Sequence, residues 1–64
     1  MNDAFNMSMR KFLKQVGVTS QQQIEEAVRK KDVSEGELHA KAVITVEELG
    51  ITHTIEGVIR LGEK

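Results

Sequence analysis

Side chains able to carry acid–base or metal chemistry are few in this sequence, and their spacing keeps them apart. His39 and His53 are its two histidines, and it has no cysteine. Thiol nucleophiles, thiolate zinc sites, iron–sulfur clusters and disulfides are thereby excluded. The two histidines fall on opposite sides of the strands expected around them, so one molecule cannot use both on one ion, and no acidic residue lies at the spacing of a zinc or iron site. We expect His53 to be a partly buried, hydrogen-bonded ring and His39 to face solvent. Glu25-Glu26 and Glu47-Glu48 are adjacent carboxylates. Neighbours in a helix, strand or turn point apart, so neither pair can share a proton or flank a scissile bond. Ser8, Ser20 and Ser34 have no base at a recognisable spacing and no nucleophile-elbow glycines, and the five glycines form no phosphate-cradling loop. The sequence therefore offers no catalytic residue, no cofactor-binding residue and no metal ligand, and an enzyme is not expected.

The grouping that stands out is Met7, Arg10, Lys11 and Lys14, at offsets of 3, 4 and 7 residues. On a helix these four share one side. A flexible apolar side chain framed by three cations suits a shallow acidic groove on a partner, or more weakly an anionic membrane surface. It is the candidate partner surface.

The elements that must position this group follow from the apolar periodicity. Phe5, Met9, Phe12 and Val16 recur at helical spacing within an arc of roughly 60°, with Leu13 at its border. The spacing predicts a helix over about 3–16, capped by Asn2 or Asp3 and ended at Gly17, with Val18 and Leu13 as the apolar pair of a Schellman ending. Thr19 and Ser20, followed three residues later by Gln22 and Gln23, are expected to start a second helix that runs to about 31. Ile24, Ala27 and Val28 form its apolar stripe, and Glu25–Arg29 and Glu26–Lys30 are candidate i,i+4 pairs. The segment from Phe12 to Val28 resembles a DNA-binding helix-turn-helix, although Glu25 and Glu26 would face a polyanion and Ile24 and Val28 fall one residue late.

Beyond the loop at 32–37 the period changes to two. Leu38, Ala40, Ala42, Ile44 and Val46 alternate with a mainly polar row, His39, Lys41, Val43, Thr45 and Glu47, in a strand over about 37–46. Ile51, His53, Ile55, Gly57, Ile59 and Leu61 do the same over about 51–61. A four-residue loop from Glu47 to Gly50 sets Val46 opposite Ile51, and each apolar-row residue then meets the apolar row of the other strand. A slip by one residue would destroy that match. The expected fold is a single small α+β domain over 1–64, in the order α-α-β-β, with two helices on one face of an antiparallel hairpin and Ile44 and Ile55 directed inward beneath Phe5, Met9 and Phe12. Both hairpin edges are open, so a homodimer through a strand edge competes with a monomer blunted by Lys41, Glu47, Glu56 and Arg60, and the monomer is preferred.

Composition agrees with one thin-cored domain. Leu, Ile, Val and Phe make up 18 of 64 residues, two of them aromatic, enough for a core in a chain of this size. Net charge is −1, so no global field gathers nucleic acid or anionic lipid. Residues 1–31 nevertheless carry six cations against three carboxylates, and residues 32–64 three against seven. The N-terminus has acidic Asp3 and no apolar run, unlike a secretory signal, and the longest apolar run is Ala42-Val43-Ile44. A soluble cytoplasmic protein is expected.

The run Phe5-Asn6-Met7-Ser8, Arg10-Lys11-Phe12-Leu13-Lys14-Gln15-Val16-Gly17-Val18-Thr19-Ser20-Gln21, then Ile24-Glu25 and Ala27-Val28-Arg29, together with Ile55-Glu56-Gly57, resembles a group of short bacterial proteins classed as a domain of unknown function. The resemblance covers most of the chain. It implies a free-standing bacterial cytoplasmic protein and brings no ligand, cofactor or catalytic residue. The reading is a small non-enzymatic module that binds another protein or itself. The alternative is a nucleic-acid-binding accessory factor using the basic half.

Overall fold

A computed structural model describes residues 3–62. It contains a helix α1 (Asp3–Lys31), a strand β1 (Glu37–Val46), a 3₁₀ turn (Glu47–Leu49) and a strand β2 (Ile51–Arg60). The chain divides into two compact units, 1–32 and 33–64, each described by itself below.

The first unit corrects the expectation of two helices. One helix of 29 residues runs without interruption through Gly17, Val18 and Thr19, a length of about 43 Å at 1.5 Å per residue. Gly17 has no positive φ and so does not form a left-handed ending. Thr19 does not cap a new helix, because its hydroxyl donates to the Gln15 carbonyl one turn back, at 2.7 Å. The energetic reason is a comparison of costs. A helical glycine costs roughly 0.5–1 kcal/mol relative to alanine. A break at Gly17 would orphan up to four carbonyls and four N–H groups in a turn of two or three residues, and no proline forces one.

The real ending lies at Asp32, whose φ is 59°. Its N–H donates to the Val28 carbonyl at 2.9 Å, as in a left-handed C-terminal cap, with Asp among the residues that tolerate that conformation. Arg29, Lys30 and Lys31 occupy the last turn and Asp3 the first, both favourable to the helix dipole. Asn2, the other proposed cap, lies outside the described residues. Of the two expected i,i+4 pairs, Glu26–Lys30 is present at 3.9 Å, whereas Glu25 accepts a hydrogen bond from Gln21 at 3.1 Å.

The second unit is an antiparallel two-stranded hairpin in the expected register. Leu38 pairs with Ile59, Ala40 with Gly57, Ala42 with Ile55, Ile44 with His53 and Val46 with Ile51. The opposite face pairs Glu37 with Arg60, Lys41 with Glu56 and Thr45 with Thr52. Arg60 Nε lies 3.4 Å from Glu37 Oε2. The Leu61 N–H donates to the Gly36 carbonyl at 2.9 Å and carries the pairing one step past the strand ends. At the other end the Gly50 N–H donates to the Glu47 carbonyl at 3.1 Å, and Gly50 takes φ 65° and ψ 30°, a left-handed conformation that glycine adopts without steric cost.

The expected burial of Ile44 and Ile55 is not found. Ile44 is half-buried and Ile55 is 44% exposed, and no described residue is fully buried. His53, expected to be partly buried, is exposed.

Two substitutions test these elements. Gly17→Ala should raise helix content at 222 nm and stabilise the fold by about 0.5–1 kcal/mol, since open space surrounds the position of an added Cβ. A loss of stability would mean that Gly17 ends a helix. Glu56→Lys, opposite Lys41, should cost about 0.2–1 kcal/mol in urea unfolding and regain it in the Lys41→Glu/Glu56→Lys exchange.

Candidate functional site

Met7, Arg10, Lys11 and Lys14 lie within one helix, and all four are exposed. At 100° per residue they occupy an arc of roughly 100°, on the side away from Phe5, Met9, Phe12 and Val16. The continuity of α1 enlarges this surface. Val18 follows Met7 by eleven residues, three helical turns, and joins the same side about 16 Å further along the axis. Sequence reasoning placed Val18 in a turn and so missed it. The signal was present in the 4-3-4 spacing of Met7, Lys11, Lys14 and Val18, which is legible only if the helix passes through Gly17.

Lys11, Lys14, Gln15, Val18 and Thr19 line a shallow groove of about 430 Å³. Met7 is 68% exposed and Val18 46%. The surface is thus two apolar patches separated by cations. Among the described residues the ion pairs are Glu26–Lys30 and Glu37–Arg60, so Arg10, Lys11 and Lys14 have no carboxylate partner there. Such a surface can bind by desolvating Met7 and Val18 while the long cationic side chains reach carboxylates on a partner.

The remaining candidates separate as the register requires. His39 stands opposite Val58, and His53 opposite Ile44, which puts them on the two faces of the hairpin. Among the described residues no three His, Asp or Glu side chains gather as a metal-binding group. Glu47 and Glu48 sit in the tight turn with Leu49, which is 68% exposed. The helix-turn-helix likeness is corrected by the same observation that joined Val18 to Met7: Phe12 to Val28 is uninterrupted helix, so no second helix is offered to a groove. Among the described residues no helix is long and apolar enough to cross a membrane.

A long amphipathic helix followed by an antiparallel β-hairpin defines the chain as a small α+β protein. Over residues 1–62 its sequence matches the family of unknown function DUF6494, and the chain belongs to that family. No curated protein matches it, and no solved structure does. The resemblance drawn from Phe5–Arg29 and Ile55–Gly57 is borne out as membership of a family without an assigned function.

Proposed function

We propose that the chain is a small, non-enzymatic cytoplasmic protein that binds another protein or itself through the face of α1 bearing Met7, Arg10, Lys11 and Lys14. The observation that carries this reading is the coincidence on one helix side of an exposed methionine, an exposed valine and three cations without carboxylate partners among the described residues. Apolar side chains this exposed gain by transfer from water, roughly 25 cal/mol per Å² of apolar surface removed. Framing them with one sign of charge selects acidic partners and speeds encounter. The open strand edges of β1 and β2 offer a second route to association.

Basic residues give a reading from another class. Six cations against three carboxylates in α1 support an accessory factor that contacts nucleic-acid phosphates. Glu25 and Glu26 weaken it, and no Tyr or Trp is present to stack on bases.

Quantitative partner capture with the wild-type chain and a Met7→Glu/Lys11→Glu variant tests the first reading. The variant should keep its far-UV spectrum and lose most of the captured partners, and an unchanged set of partners overturns the proposal. For the second, a salt-dependent mobility shift with random-sequence DNA or RNA is expected, because phosphate contacts are strongest at low ionic strength. Absence of binding at about 50 mM salt removes it.

A further inference from the structure

The chain carries the chemical counterpart of its own helix face. Glu47, Glu48 and Leu49 form the tight turn between the strands, closed by the left-handed Gly50. Leu49 and Met7 are the two most exposed large apolar side chains among the described residues, each at 68%. One is framed by two carboxylates and the other by Arg10, Lys11 and Lys14. Glu47 and Glu48, like those three cations, form no ion pair among the described residues.

From this complementarity we infer that the occupant of the Met7 face is the Glu47-Glu48-Leu49 turn of a second copy of the chain. Leu49 settles against Met7, and the two glutamates face Arg10, Lys11 and Lys14. The turn suits that role because one 3₁₀ turn presents all three side chains from a backbone already fixed by its own hydrogen bond, so little ordering entropy is lost on docking. The helix suits it because Met7, Lys11, Lys14 and Val18 repeat at 4-3-4 spacing and make one continuous strip. Opposite charge around a small apolar centre also sets the register, since displacement by one helical turn would leave Leu49 against cations. Each copy carries both halves of the contact, so two copies can engage reciprocally or successive copies can extend an array.

The inference rests on the Met7 face being a protein-binding surface, and charge reversal tests it directly. Sedimentation equilibrium on the full chain, up to about 1 mM, should show a concentration-dependent rise in mass that weakens at least tenfold between about 50 and 500 mM salt as the charges are screened. Lys11→Glu/Lys14→Glu should associate at least tenfold more weakly, and so should Glu47→Lys/Glu48→Lys, each with the wild-type far-UV spectrum. An equimolar mixture of the two variants should regain association, because every acidic helix face then finds a basic turn and every basic face an acidic turn. That recovery separates complementarity from damage to the fold. A wild-type chain that stays monomeric, variants that associate as the wild type does, or a mixture that does not recover overturns the inference. If the chain is monomeric while Met7→Glu/Lys11→Glu still loses its captured partners, self-docking fails and the protein-binding reading stands.

Discussion

The backbone hydrogen-bond ladder of α1, carried unbroken through Gly17, is the constraint on which the candidate surface depends. With the ladder intact, residues 7 and 18 lie three turns apart on one side of a single rod. If it were broken, the same residues would belong to different directions of the chain. The penalty for keeping a glycine in the helix is under about 1 kcal/mol, smaller than that of leaving several backbone groups without partners at two new helix ends. Thr19 takes the cheaper course as well. Its hydroxyl satisfies itself on the Gln15 carbonyl and stays in the helix it was expected to start.

Which parts of this architecture were legible in the sequence depends on how local the deciding forces are. The hairpin was, down to its register, because a period of two fixes which rows can face each other and the four-residue connection from Glu47 to Gly50 then sets Val46 opposite Ile51. Helix content was legible too. The single break was misread because cap-type residues are permissive signals: Gly17, Thr19 and Ser20 allow a terminus and do not compel one. Burial was misjudged for a different reason. Alternation tells which residues share a face, whereas Ile55 at 44% exposure shows that sharing a face does not supply a covering layer.

The residues of the proposed interaction surface were partly legible as a group. Met7, Arg10, Lys11 and Lys14 required only one helical segment to be recognised as a group. Val18 required the correct helix, and Leu49 required three-dimensional exposure, since a leucine within Glu-Glu-Leu-Gly reads equally well as a turn residue tucked against a strand. Its 68% exposure turned a connection into a feature with chemistry of its own.

Association and stability are coupled in such a chain. A two-stranded hairpin is marginal by itself in water, and a helix draws most of its stability from packing its apolar face. Here Phe5, Met9, Phe12, Ile51 and Ile55 all remain exposed, and no described residue is fully buried. A partner that covers apolar surface therefore adds to the free energy of the folded state as well as to that of the complex, and by mass action the apparent stability rises with its concentration. Met7, Val18 and Leu49 are each small apolar centres, so the contribution per contact is modest. In the proposed association the surrounding charges then decide which partner is accepted and in what register, while burial of the apolar atoms holds it there.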